Sequence, residues 1–502
     1  MTAMPPIDLA LLVGAAVAMV AVLAARLGSR LGLPALLLFL FLGMALGRNG
    51  LGYHFDDADL AHGLGFAALV FILIEGGFST KWENIRPAMG GAGLLATVGI
   101  GLSIALMALF SHFVLRLPWA VSVLLGAITA PTDSAAVFAV LRGVALPSRV
   151  RATLEAESGL NDAPTVLLVA AASQLALGIV PAGGYLGLAG LVVFELAGGV
   201  LLGLLLGLVG VWVLRRMALP SSGLYPLAAM AWAVGTYGVG VAVHVSGFAA
   251  VYVCAVVLGN GNLPHRHATR SFAEGVGWIA QIGLFVMLGL LADPGRITWH
   301  AVGAGLMAGL FLTFISRPAS VFASLSWFRV PLPEQLFVSW AGLRGAVPII
   351  LATVPMSLRV PDADLLFDVV LVFVVVFTTL EGPTLPWAAR VLGLSDSNAA
   401  RDVDIEAAPL DKIAAELLHI KIPAGSKLSG VQVRELRLPR NAIVSLVIRG
   451  DVSFAPHAMS RLQVGDEVLI VTPEKHREEV ERRMTRIGRE GRLAGWTDHQ
   501  SH

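Results

Sequence analysis

The chain has 502 residues, of which 56% are hydrophobic and only 14% charged, and its net charge is +1. A soluble protein carries about a quarter charged residues, so this composition excludes an ordinary soluble globular fold and points to a membrane. The near-zero net charge argues against a nucleic-acid partner, and the single cysteine, Cys254, excludes an internal disulfide framework.

Thirteen stretches approach the roughly 17 to 25 apolar residues that a membrane span needs. They fall at 8–25, 31–48, 62–80, 90–115, 118–141, 153–178, 184–214, 222–243, 247–260, 271–292, 297–322, 332–356 and 363–389. The first lacks a basic leader and a cleavage site, so it reads as a span rather than a signal peptide. The segment 247–260 is short, and 184–214 is long enough to tilt or break. The expected fold class is therefore an all-α polytopic membrane protein of about thirteen transmembrane helices. An odd count puts the termini on opposite sides.

Basic residues in the connections orient the chain. Arg26, Arg30, Lys81, Arg86, Arg142, Arg149, Arg151, Arg215, Arg216, Arg266, Arg270 and Arg329 fall in one set of loops, against Arg48, Arg116, Arg296 and Arg359 in the other. The richer side is the cytoplasmic one. The N-terminus is then expected outside and the C-terminus in the cytoplasm, in a plasma (inner) membrane.

After Leu394 the composition turns polar, and nearly half of all charged residues lie beyond it. The expected layout is a membrane domain over 1–394, a linker over 395–404, a small α+β cytoplasmic domain over 405–487 and a disordered tail over 488–502. Within the small domain, 416–422, 442–449 and 467–471 read as strands, 426–436 as a short helix and 474–486 as a charged helix. No G-x-G-x-x-G follows a strand there, so a dinucleotide fold is not expected.

Two spans carry interruptions. The fifth contains Gly126-Ala127-Ile128-Thr129-Ala130-Pro131-Thr132-Asp133-Ser134, and the twelfth contains Ser339-Trp340-Ala341-Gly342-Leu343-Arg344-Gly345-Ala346-Val347-Pro348. Proline and glycine beside a charge predict unwound helices. If spans one to six and eight to thirteen are repeats, both breaks take the fifth position and the repeats are inverted, which is the sequence pointer to a transporter's midplane site. Unwound backbone at that depth is tolerated only where it lines a cavity.

The sixth span holds Glu157-Ser158-Gly159-Leu160-Asn161-Asp162, an acidic run in an apolar setting. Ser158 and Asp162 are one helical turn apart, as are Glu157 and Asn161, so the four form adjacent ridges on one side. Glu75 adds a carboxylate in the third span, and Arg317 and Arg344 bring cations to the eleventh and twelfth. Ionisable residues at bilayer depth are costly and mark ion or proton pathways. Glu195 and Glu381 read as packing or interface residues, His62 and His244, near span ends, as surface groups with pH sensing the alternative, and Cys254 as a small core residue.

The run Leu154-Glu155-Ala156-Glu157-Ser158-Gly159-Leu160-Asn161-Asp162, with Thr132-Asp133 upstream and Arg344 in the broken twelfth span, resembles the monovalent cation/proton antiporters of the NhaP-like branch. The likeness covers most of 8–390. The tail is similar to the C-terminal half of the regulator-of-potassium-conductance domain, the TrkA-C-like type, through Gln463-Val464-Gly465-Asp466-Glu467-Val468. The resemblance implies a secondary transporter exchanging K+, or alternatively Na+, for H+ by alternating access, with no cofactor, in a homodimer surrounded by membrane lipid. It also implies a possible small regulatory ligand on the C-terminal domain. By position, Asp162 would be the exchanging carboxylate with Asn161 beside it, while Ser158, Glu75 and the main chain of Thr132 complete the alkali cation's oxygen shell. Glu157 would pair with Arg317, and Arg344 and Asp133 would balance the half-helix ends. Ser134 stands where many relatives have proline.

Elementary chemistry leads the same way. Asp162 is a hard oxygen donor suited to an alkali cation, and His or Cys clusters for transition metals are absent from the sequence around it. Taking the bare anion through the bilayer costs several kcal/mol, so states loaded with a proton or one cation move more readily than the empty one. Asn161 does not ionise, so the pair offers one titratable carboxylate and the expected exchange is an electroneutral 1:1. A cation channel is the alternative of another class; it would need a continuous pore lined by carbonyl or charged rings. An enzyme is not expected, because no nucleophile, metal-binding cluster or phosphate loop accompanies the carboxylates.

Overall fold

In the computed structural model the chain forms two compact units, Met1–Ser395 and Asp396–His502. The structure describes residues 6–31, 34–48, 50–53, 55, 57–141, 144, 146–179, 184–394, 404–410, 415–439, 441–450, 452–473 and 476–491. The expected linker lies outside these except for Asp404, as do Arg142 among the loop cations and the tail beyond Gly491.

Among its described residues the first unit is built of helices, with no strand. Its elements are α1 (Pro6–Leu31), α2 (Ala35–Leu46), α3 (Ala58–Ser79), α4 (Trp82–Ile85), α5 (Met89–Leu94), α6 (Ile100–Phe113), α7 (Trp119–Thr129), α8 (Ser134–Val140) and α9 (Ser148–Ala176). There follow α10 (Gly184–Arg216), α11 (Leu224–Ala242), α12 (Gly247–Asn260), α13 (Arg266–Leu291), α14 (Trp299–Phe311), α15 (Arg317–Leu325), α16 (Leu332–Trp340), α17 (Ala346–Ser357) and α18 (Ala363–Val391). By length and composition seven of the described helical segments suffice to cross a bilayer, and others are shorter apolar pieces. Prolines set several starts: Pro118, Pro147 and Pro331 immediately precede α7, α9 and α16. Side-chain caps set others, with Asp57, Ser246 and Thr298 accepting from the backbone amide three residues on.

Both expected breaks are present. The fifth span divides into α7 and α8 around 130–133, and the twelfth into α16 and α17 around 341–345. The fourth and eleventh spans read as continuous, yet each contains a π-turn, at Leu95–Gly99 between α5 and α6 and at Leu312–Ser316 between α14 and α15. Such bulges widen the hydrogen-bond ladder and are frequent at functional sites. The long seventh span runs unbroken as α10.

Glycine seams display the internal repeat. A Cβ on Gly43 of α2 would lie 2.1 Å from the Val286 carbonyl oxygen of α13, and one on Gly289 would lie 2.2 Å from that of Leu40. The α3–α12 crossing is built alike, for a Cβ on Gly77 would meet the Ala255 Cβ at 2.6 Å and one on Gly259 the Phe78 Cα at 2.8 Å. Gly43 and Gly259, and Gly77 and Gly289, each stand about 215 positions apart, the offset of two inverted halves. Small residues let these backbones touch, which is how helices associate in lipid.

Among its described residues the second unit is a five-stranded antiparallel sheet in the order β1-β2-β5-β3-β4 with one α-helix. The strands are β1 (Asp404–Leu410), β2 (Ala415–Lys421), β3 (Ile443–Arg449), β4 (Val452–Phe454) and β5 (Glu467–Pro473), followed by α19 (Arg477–Glu490). Its own core contains Leu418, Ile420, Val447, Val468, Ile470, Val480 and Met484. Three readings change here. The outer strands β1 and β4 are additional, and α19 continues to Glu490, beyond the expected start of the tail. The expected helix over 426–436 is a run of turns ending in a single 3-10 turn, Val433–Leu436. Gly430 sits at φ +85°, and its amide bonds the Leu462 carbonyl at 2.7 Å, so the backbone's partners lie across the fold rather than up a helix.

Candidate functional site

The two breaks cross one another. The Asp133 amide donates to the Leu343 carbonyl at 2.8 Å, and Asp133 Oδ1 accepts from the Ala136 amide at 3.2 Å, capping α8. Arg344 Nη1 donates to the carbonyls of Ala130 at 2.9 Å and Pro131 at 2.7 Å, which lie where α7 ends. A helix C-terminus carries partial negative charge, so a guanidinium is favourable there. Thr378 of α18 holds the Arg344 carbonyl through its hydroxyl at 2.7 Å.

Beside the crossing runs α9. Glu157 is 3% exposed and accepts from both terminal nitrogens of the buried Arg317 guanidinium, Nη1 to Oε1 at 2.5 Å and Nη2 to Oε2 at 2.8 Å. This bidentate geometry is the strong form of the pair. The Thr132 hydroxyl donates to Glu157 Oε1 at 3.2 Å and accepts from Asn161 Nδ2 at 2.8 Å. Asn161, Thr132, Glu157 and Arg317 thus form one relay joining α9, the first break and α15. Arg317 begins α15 directly after the π-turn, and Gly342 leaves room for its stem: a Cβ there would lie 2.8 Å from Arg317 Nε.

Asp162 is 7% exposed, and its Oδ1 is buried without a hydrogen-bond partner among the described residues. An unsatisfied buried acceptor costs about 1–3 kcal/mol, more for a charged one. Pro164 follows inside the helix and supplies no amide, while the Thr165 hydroxyl bonds back to the Asn161 and Asp162 carbonyls, each at 2.9 Å. Ser158 lies half-buried one turn before Asp162.

Glu75 of α3 stands apart from this group. Its stem packs on Gly277 of α13, where a Cβ would lie 2.8 Å from Glu75 Cγ, and its charged neighbours are Glu274, Arg270 and Asp133. It makes no hydrogen bond among the described residues. The structure therefore brings Thr132, Asp133, Glu157, Asn161, Arg317 and Arg344 together around Asp162's helix, and leaves Glu75 on a neighbouring wall.

Several groups escaped the sequence reading. Tyr252 of α12 covers Gly159, where a Cβ would fall 1.9 Å from its hydroxyl, and Asp162 is among its charged neighbours. Nothing in an apolar span marks that tyrosine. Glu381, expected as a packing or interface residue, is 6% exposed and shares a small polar pocket with Thr313, Arg317, Ser339 and Arg344. His62 is not a simple surface group either, since its ring lies 4.2 Å from that of Phe66 and its Nδ1 3.4 Å from the Thr353 hydroxyl.

Comparison with known proteins gives consistent matches. Residues 417–485 match the TrkA-C domain, and 15–391 match the family described as sodium/hydrogen exchanger, transmembrane. The K(+)/H(+) antiporter NhaP of Alkalimonas amylolytica is 36% identical over 479 residues, 93% of this chain and 82% of that protein. The K(+)/H(+) antiporter NhaP2 of Shewanella baltica is 33% identical over 473 residues, 92% and 81% of the two. The solved sodium proton antiporter MjNhaP1 from Methanocaldococcus jannaschii aligns with a TM-score of 0.67 at 22% identity, covering 77% of this chain and 99% of that one, a likeness of fold. With the exchanger match running over most of its length, the chain belongs to the sodium/hydrogen exchanger family.

Proposed function

We propose that Asp162 is the group for which a monovalent cation and a proton compete as this chain exchanges one for the other across the membrane. The chain is an antiporter of cations and protons, without a cofactor, and not an enzyme. One observation carries the assignment to Asp162: a carboxylate oxygen buried on the helix beside two crossed breaks, with no hydrogen-bond partner among the described residues. A proton or an alkali cation supplies what that oxygen lacks, and the bare anion is the state that the bilayer penalises.

Ser158 shares the ridge with Asp162, and Glu75 and the Thr132 carbonyl complete the proposed shell when the cation is bound. Asn161 has a different part. Its amide is committed to Thr132, so it supports the break. Glu157 and Arg317 form the structural pair, while Arg344 and Asp133 compensate the half-helix ends. With position 161 committed to Thr132, Asp162 is the one titratable carboxylate of the pair open to the cation, which supports an electroneutral 1:1 exchange.

Potassium is the cation we favour, because relatives at 33–36% identity are named as K(+)/H(+) antiporters; the more distant NhaS2 of Synechocystis, 27% identical, is named for Na(+). The asymmetry of basic residues supports an inner-membrane protein with its N-terminus outside and its C-terminal unit cytoplasmic. A homodimer and a small ligand on the TrkA-C unit are proposed from likeness to the family. The test is proton flux in everted vesicles on adding K+, Na+ or Li+, for chains with and without the segment after Leu394. Asp162→Asn is expected to abolish every response while inserting normally; proton-coupled exchange persisting in that variant overturns the assignment.

A further inference from the structure

Two guanidiniums are buried beside the breaks, with Arg317 6% and Arg344 4% exposed. A buried cation without a matching anion is strongly destabilising. Arg317 is matched by Glu157. Arg344 makes no ion pair within 4.0 Å among the described residues, and its Nη1 is committed to the two carbonyls of the first break. Those carbonyls offer only partial charge.

The missing anion lies across the pocket. Glu381 of α18 is the carboxylate that lines it with Arg344, Arg317, Thr313 and Ser339. Glu381 Oε1 accepts the Thr313 hydroxyl at 2.7 Å, and Thr313 belongs to the π-turn of the eleventh span. Thr378 lies one turn before Glu381 on the same helix face and grips the Arg344 carbonyl. One face of α18 therefore meets Arg344 twice, by a direct bond to its backbone and by charge to its side chain.

We infer that Glu381 is a positioning residue for the exchange: its carboxylate balances Arg344 across the pocket, keeps that guanidinium on the Ala130 and Pro131 carbonyls, and so sets the electrostatic potential around Asp162. The inference rests on Asp162 as the exchanging group and adds a residue outside its proposed shell. Removing the charge of Glu381 leaves two buried guanidiniums against Glu157. The site then becomes more positive, so it holds both the proton and the cation less tightly.

The test uses full-length protein purified into proteoliposomes, with K+ or Na+ as the driving cation and proton flux as the readout. Glu381→Gln is expected to raise the cation KM about threefold at alkaline pH, where protons no longer compete, and to move the acid limb of the pH profile down by about half a unit. Glu381→Asp keeps the charge and is expected to restore most of both. Thr313→Val withdraws the donor that favours the charged carboxylate, so it shifts both quantities in the same direction and decides the matter if Glu381→Gln does not fold. A lowered maximal rate with unchanged KM and unchanged pH profile in these variants overturns the inference and leaves Glu381 a packing element. Exchange surviving in Asp162→Asn would instead overturn the assignment on which it rests, an outcome independent of Glu381.

Discussion

The backbone amide of Asp133 donates to the carbonyl of Leu343 at 2.8 Å, tying the first broken helix to the second at their crossing. Gly345 makes that approach possible, since a Cβ there would stand 1.8 Å from Asp133 Oδ2. Gly345→Ala is expected to push the breaks apart, costing about 1–3 kcal/mol and most of the exchange activity. Thermal unfolding of the solubilised protein and vesicle flux measure the two effects; wild-type values in both would show that the crossing is soft.

The Glu157–Arg317 pair is structural in this geometry. Glu157→Leu or Arg317→Met alone strands a buried charge and is expected to lower stability by about 3–5 kcal/mol. Combining Glu157→Leu with Arg317→Met removes both charges and should cost less than the sum. Unfolding midpoints of the four proteins form the cycle, and strict additivity would refute the coupling.

Asn161→Asp tests what residue 161 does. If it merely limited charge, a second carboxylate would make exchange sensitive to membrane potential. Its amide instead donates to Thr132, and an aspartate there loses the donor and faces Glu157 through that hydroxyl. The expected outcome is a rate lowered about tenfold, the worth of one buried hydrogen bond, with no gain of voltage dependence. Flux at imposed potentials decides it.

In the C-terminal unit, Lys421 and His419 bond Glu467 at 3.0 Å each and hold its carboxyl below the usual range. A depressed folded value means that the contribution to stability is present above the unfolded carboxylate pKa and is lost as pH falls through the folded one. Lys421→Met is therefore expected to destabilise the segment from Asp396 onward near neutral pH, with the deficit closing under acid. Denaturation of that segment across pH is the check, and a deficit that persists at low pH would rule the linkage out.

What the sequence reveals depends on how local the signal is. Asp162 and the two breaks stand out because a charge, a proline or a glycine interrupts an apolar run. The π-turn at Leu95–Gly99 has no such mark, whereas the one at Leu312–Ser316 runs directly into Arg317-Pro318, a charge and a residue without an amide. Thr313 and Glu381 stay hidden because they are far apart in the chain and significant only once α18 lies beside the eleventh span. The small domain misleads differently. Leu428, Val431 and Leu436 are buried as an amphipathic helix would have them, yet Gly430 turns the chain into the left-handed region and bonds Leu462. Strand β1 was expected as the end of the linker and the domain's opening residues because its order comes from pairing with β2, register by register, rather than from its composition.

The glycine seams between α2 and α13 and between α3 and α12 leave backbone against backbone, with no side chain that could change rotamer to absorb a displacement. Sliding along either seam would drive backbone into backbone, so α2 with α13, and α3 with α12, are each held to one register. Whatever moves when the site changes sides, the strain of that movement has to be taken up elsewhere.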